Sequence, residues 1–302
     1  MRILLAVLLA AGSGLAQMAN PLQKAIVLGP ATVYLSPDTD SAKVGTLRAG
    51  EQMGVQAASG RFTQVFSGIS GWVDNHDFVL LSAPDAARVI FGAAVEAQQE
   101  AEQSNEDPTA AVRLYLSIYN FLPLSARAGE ALYRGAALQW DTKISEEPTR
   151  TSPTERLFPD DSLLHRVENK YRDTPWAAQA AFKLLIEHFT CGDWFEKPAC
   201  VGNEADRYNG YVHKYPTSPD APHAAFDALY RDAIAWTIYR QPGKNQDTGK
   251  AAEYRQRVAE DSARMQQAYA NRDWTARGAY VAYQVAHDSP LKLPGSTPMG
   301  GP

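Results

Sequence analysis

Apolar residues fall in short, closely spaced runs over residues 24–83: KAIVLG, ATVYLS, KVGTL, EQMGVQA, FTQVF, GWVD and FVLLS. Turn-forming clusters separate them: SPDTDS, RAGE, ASGR and SGISG. Short Val-, Leu-, Phe- and Thr-rich runs with regular punctuation predict a small antiparallel barrel or sandwich. From Pro84 the period becomes 3.6, and Ala, Gln and Tyr become frequent. Helices are predicted over 85–104, 108–121, 126–143, 161–172, 175–189, 203–215, 219–240, 249–270 and 274–287. The fold class is multidomain, β then α, with a β domain over 22–83 and a helical domain over 84–288. The Pro/Gly-rich end, 289–302, lacks periodicity and is expected to be disordered.

The helical part repeats itself. KYPTSPDAPHAAF at Lys214–Phe226 matches KYRDTPWAAQAAF at Lys170–Phe182 at an offset of 44 residues. Ser218-Pro219 aligns with Thr174-Pro175, a hydroxyl N-cap followed by a proline suited to the first helical position. Ala177, Ala180, Ala181, Leu184 and Leu185 share the spacing of Ala221, Ala224, Ala225, Ala228 and Leu229, one buried helical face. Weaker copies flank these, Ser125 aligning with Thr174 and Tyr269 with Tyr215, at offsets of 49 and 54. The unit is a helix ending in an aromatic, a tight turn, and a helix opening with small residues. A non-repetitive bundle is the alternative.

This unit resembles the tetratricopeptide-like class, and its Tyr-Pro-x-Ser-Pro stretch with Ala-Ala-Phe after it is similar to repeats of periplasmic assembly and cell-division accessory proteins. The standard unit is about 34 residues, so the excess maps to connections at 141–160, 190–201 and 241–250. The resemblance implies a divergent α-helical solenoid that holds a protein partner. Tyr208, Tyr211, Tyr215, Tyr230, Trp236 and Tyr239 crowd one repeat. Most are expected in the core, with some on a concave partner-binding face.

The N-terminal part resembles the bacterial SH3-like family. It carries Val33-Tyr34-Leu35-Ser36-Pro37, then Val44-Gly45-Thr46-Leu47-Arg48-Ala49-Gly50, then Gly71-Trp72-Val73. The family often has a Trp in the strand that here reads Phe62-Thr63-Gln64-Val65-Phe66, so Phe62 or Phe66 fills that aromatic slot. The resemblance implies a small β-barrel that binds cell-wall glycan or a peptide. Trp72 either packs in the barrel core or lines a shallow ligand groove with Tyr34 and Phe78.

The chain opens MRILLAVLLAAGSGLAQ: a positive residue, an apolar run too short to span a bilayer, and a small-residue cleavage pattern. A signal peptide over 1–16 is expected, cut after Ala16 or Ala19, with export to the periplasm or outside. No later apolar run reaches about 18 residues, so no membrane span is expected. Cys191 and Cys200 are the two cysteines. In an exported chain the default is one disulfide of about 2–3 kcal/mol. Two free thiols are the alternative, and the spacing suits metal poorly.

Net charge is −5, with no block of like charge, so nucleic acid is not an expected partner. No phosphate loop, nucleophile elbow or paired metal-binding histidines occur. Asp160 and Asp161 read as a helix cap. No catalytic residue, cofactor or metal is expected. The sequence points to a non-enzymatic exported scaffold of the cell envelope, its helical part binding an envelope protein or peptide and its β part binding peptidoglycan. A cell-wall hydrolase or hydrolase-accessory protein without a recognisable catalytic motif is the alternative.

Overall fold

The structure is a computed structural model that describes residues 22–146, 160–188, 191 and 197–291. The expected signal segment, 1–16, lies outside the described residues, as does the tail from 292 onward. Contacts divide the chain into two compact units between Val89 and Ile90.

The first unit is an antiparallel sheet of seven strands: β1 (Gln23–Val27), β2 (Ala31–Tyr34), β3 (Lys43–Leu47), β4 (Gln52–Ser59), β5 (Phe62–Ser67), β6 (Ile69–Asp74) and β7 (Phe78–Leu80). Their order is β3-β2-β6-β5-β4-β1-β7. The sheet does not close: β3 pairs only with β2, and the three-residue β7 pairs only with β1. A full barrel needs a ladder between those edges, and none is present among the described residues. Alternation sets the core. Val33, Leu47, Met53, Val65 and Val73 point inward together with Ala25 and Val27. Between β4 and β5 the chain turns through Gly60, whose φ of 63° favours glycine.

Among the described residues of the second part there are nine helices: α1 (Ala86–Ser104), α2 (Thr109–Phe121), α3 (Ala128–Glu146), α4 (Ser162–Lys170), α5 (Pro175–His188), α6 (Pro198–Lys214), α7 (Ala221–Arg240), α8 (Thr248–Ala268) and α9 (Asp273–Ala286). None is long and apolar enough to cross a membrane. Neighbouring helices pack as α2/α3, α4/α5, α6/α7 and α8/α9, with further contacts α3/α5 and α7/α9.

Three of these pairs share one turn. In α2/α3, Leu122 N–H donates to Ile118 O, Ser125 N–H to Leu122 O, and Ala128 N–H to Ser125 O, at 2.8–3.0 Å. In α4/α5 the same bonds join Tyr171 to Val167, Thr174 to Tyr171, and Ala177 to Thr174. In α6/α7 they join Tyr215 to Tyr211, Ser218 to Tyr215, and Ala221 to Ser218. These triplets are separated by the same 49 and 44 residues that relate the sequence copies. The α8/α9 turn begins alike, Tyr269 N–H to Met265 O, and then departs through Asn271 at a φ of 65°.

The alanine stripe is buried as its spacing requires. Ala177, Ala180, Ala221, Ala224 and Ala228 are each fully enclosed. Two helix starts differ from expectation. α7 begins at Ala221 rather than 219, because Ser218–Asp220 form the turn and Ser218 Oγ accepts the Asp220 amide at 3.2 Å. α6 begins at Pro198, inside the expected loop, because its first turns bury Val201, Gly202, Glu204 and Ala205. The N-cap of α4 is Asp161, whose side chain makes no capping bond, and Asp160 before it accepts the Ser162 amide at 2.9 Å. Beyond α9, Leu291 packs on Val201, Ile234 and Ile238.

Gly71 sits where a Cβ would stand 2.5 Å from the Tyr34 carbonyl oxygen and 2.6 Å from Val33 Cγ1. Backbone cannot yield cheaply there. Gly71→Ala is expected to destabilise the sheet by about 1–3 kcal/mol in urea unfolding followed by tryptophan fluorescence.

Candidate functional site

In the sheet, Tyr34 on β2 and Trp72 on β6 are direct cross-strand partners, with Gln64 of β5 next in the row. Val33 and Val73 beside them point into the core, so Tyr34 and Trp72 share the opposite face, both half-buried. Phe62 is 4% exposed and meets the Tyr34 ring edge-on at 5.9 Å. Of the two aromatics on β5, Phe62 is thus the one whose ring meets Tyr34. Arg61 lies over the Phe62 ring at 5.6 Å and donates through Nε to Asp74 at 2.8 Å. Burial raises the Asp74 carboxyl, but the Arg61 bond and the His76 amide outweigh it and hold it below its usual range. Phe78 is elsewhere. It lies on the edge strand β7, paired with Val27, and packs against the core cluster.

In the helical unit, two grooves open between successive first helices of the pairs, each floored by the intervening second helix. The first, about 410 Å³, has Glu168 of α4 on one side and Tyr211, Lys214 and Tyr215 of α6 on the other, over Ala181 and Leu185 of α5. The second, about 660 Å³, has Val212 of α6 facing Met265, Ala268 and Tyr269 of α8, over Ala225 of α7. The repeat offsets map one lining onto the other. Shifts of 44 carry Glu168 to Val212 and Ala181 to Ala225, and shifts of 54 carry Tyr211 to Met265, Lys214 to Ala268 and Tyr215 to Tyr269. Geometry is retained while chemistry changes. Lys214 spans the first groove to Glu168 at 2.5 Å, and this bond raises the lysine pKa. Val212 and Ala268 carry no charge, so the second groove lacks that ion pair and is roomier; its walls are joined instead by Asn209 donating to Asp261 at 3.4 Å and by the Tyr269 hydroxyl donating to the Pro216 carbonyl at 3.2 Å.

Tyr211 anchors the first groove from below. Its hydroxyl lies 2.9 Å from Ser218 Oγ and 3.2 Å from the Ala178 carbonyl, and burial pushes the phenol far above its ordinary range. Tyr208, Tyr211, Trp236 and Tyr239 are core residues, whereas Tyr215 is half-buried at the groove rim. Of the aromatics expected on a partner-binding face, Tyr211 and Tyr215 line the first groove, whereas Glu168, Lys214, Met265 and Ala268 carry no signal of their own in the sequence. Projecting the alanine stripe onto the facing helices at the repeat offset finds them.

Buried charges tie α6, α7 and α8 together. Arg231 donates to Glu204 at 2.8 Å and to Asp227 at 3.2 Å. Arg257 joins Asp232 at 2.9 Å to Asp206 at 2.5 Å. Asp261 pairs with Arg264 and receives the Asn209 amide. Cys191 and Cys200 form a disulfide with Cα atoms 5.7 Å apart. Their sulfurs and a Glu204 oxygen lie within 4.8 Å of one another, which is metal-ligand proximity. Both Glu204 oxygens are engaged, one by the Cys191 amide at 2.7 Å and one by Arg231, and the sulfurs are bonded to each other. The group thus fastens the chain before α6 to the helix core.

No protein-family model and no curated protein matches this sequence.

Asp232 is fully enclosed, and its Oδ1 has no hydrogen-bond partner. Burial, opposed by Arg257 and assisted by Asp261 and Asp206, raises its pKa from 3.8 to about 7. Between these values the folded chain keeps a proton that the unfolded chain has released. This contribution therefore lowers stability as pH rises from about 4 to about 7. Asp232→Asn is expected to lose that slope, so its stability relative to wild type improves from pH 4.5 to pH 7.5 in urea titrations, within the approximate window set by that shift.

Proposed function

We propose that this protein is an exported, non-enzymatic scaffold of the cell envelope. Its helical part is read as a divergent tetratricopeptide-like solenoid that holds a partner protein, and its sheet as an SH3-like module that binds cell-wall glycan or peptide. The observation that carries the reading is the recurrence of one groove at the repeat offset with its lining chemistry changed. A catalytic site needs one arrangement of reacting groups. A surface that reads successive parts of a partner benefits from equivalent sites of different chemistry.

The sheet supports this reading through Tyr34 and Trp72, adjacent on one face with amphipathic rings that offer contact area at low entropic cost. The disulfide supports an oxidising compartment.

Two assays on the full chain test the proposal. In co-sedimentation with purified cell wall, wild type is retained and Trp72→Ala loses most of the retention. In photo-crosslinked capture of envelope proteins, the double substitution V212E/A268K reinstates in the second groove the bridge that spans the first, and it is expected to abolish partner capture. Failure of wild type in both assays sinks the proposal. Cell-wall hydrolysis by the purified chain would replace it with a hydrolase.

A further inference from the structure

The groove recurs a third time, and there it is incomplete. A shift of 54 carries Val212 to Gln266 on α8 and carries Ala225, Ala228 and Leu229 to Ala279, Ala282 and Tyr283 on α9. These four line a cavity of about 370 Å³. One wall and the floor are present. The second wall, supplied by α6 in the first groove and by α8 in the second, has no counterpart among the described residues.

Exposure of the floor helices follows the same logic. Phe182 and Leu185 on α5 are 8% and 9% exposed, and Leu229 on α7 is 0% exposed. Their counterparts on α9, Tyr280 and Tyr283, are 64% and 60% exposed. The earlier positions are covered by the next helical pair. Phe182 lies 5.4 Å from Tyr211 and 5.3 Å from His223. Phe226, the α7 counterpart of Tyr280, lies 5.2 Å from Trp274, and Leu229 shares a cluster with Met265. A terminal repeat ordinarily turns a polar face to water. Here the last described helix keeps two exposed aromatic rings at positions that the preceding repeats bury at Phe182, Leu185 and Leu229 and partly cover at Phe226.

The missing wall has a definite chemistry. α6 faces the first groove with Tyr211 and Tyr215, and α8 faces the second with Met265 and Tyr269. In both, a large residue precedes a tyrosine by four positions, which places the two on one helical stripe.

We propose that the α8–α9 face takes one amphipathic helix from a partner protein, bearing Met or an aromatic four positions before a second aromatic, which completes the third groove as α6 and α8 complete the first two. The internal stacking interface runs on without a break onto α9, with its apolar positions retained. The inference rests on the reading of the helical part as a partner-holding surface, and it names where the partner sits and what it presents.

A phage-displayed library of helix-biased peptides of about 20 residues, panned on the full chain, tests it. Selected peptides share the spacing above. By fluorescence polarisation they bind the Y280E/Y283E variant at least about tenfold more weakly than wild type. Thermal unfolding of that variant is unchanged, since both rings are exposed. The V212E/A268K variant binds them normally, so loss of this site is separable from loss of partner capture at the second groove. Three outcomes overturn the proposal: no selected peptide depends on Tyr280 and Tyr283, the selected peptides lack the spacing, or sedimentation shows a dimer of the chain that Y280E/Y283E abolishes. The last assigns the face to a second copy.

Discussion

The helical unit depends on close approach at a stripe of alanines. Ala221, Ala224 and Ala228 on α7 are fully enclosed, as are Ala177 and Ala180 on α5. Small side chains let a neighbouring helix come near, and near approach is what leaves a groove beside them once the flanking positions carry larger groups. The three-bond turn before α3, α5 and α7 fixes where each stripe begins. Turn and stripe thus act as one device. Lengthening the turn by a residue would rotate the alanines off the contact and replace the groove floor with other side chains.

That device was legible in the sequence because each of its parts is local. Ser218 and Thr174 mark the turn, the alanines mark the face, and a fixed offset joins the copies. What stayed hidden is set by long-range packing. Glu204, Asp232 and Asp261 look like the polar side of amphipathic helices, yet each is buried, because α7 is enclosed by α6, α8 and α9 and has little solvent side to spare. The start of α6 was hidden for a related reason. Pro198 and Cys200 read as loop residues, and only the burial of Val201, Gly202 and Glu204 shows that the helix already runs there.

In the sheet, alternation gave the strands and the core face, but strand order is not a local property. Tyr34 and Trp72 meet because β2 and β6 pair, whereas Phe78 goes to the other edge with β7. A groove of all three aromatics assumed a neighbourhood that the topology does not supply. Phe62, rather than Phe66, lies beside Tyr34 instead.

The buried charges and the grooves are two uses of the same helix surfaces. On α6, Glu204 and Tyr208 point to the α7 side, where Arg231 neutralises the carboxylate and stacks on the ring at 4.3 Å. Tyr211 and Tyr215, a turn further on, face the first groove. Burying ion pairs is an inefficient way to gain stability, since desolvation offsets much of the attraction. Their geometric demands are strict, however. Arg231 must reach Glu204 on α6, and Arg257 on α8 must meet Asp206 of α6 and Asp232 of α7 at once, which fixes the register of α6, α7 and α8 more sharply than alanine packing does. Alanine faces tolerate sliding, and an arginine held between two carboxylates does not. The grooves can therefore differ in chemistry from repeat to repeat while keeping their shape, because what sets the shape lies behind them.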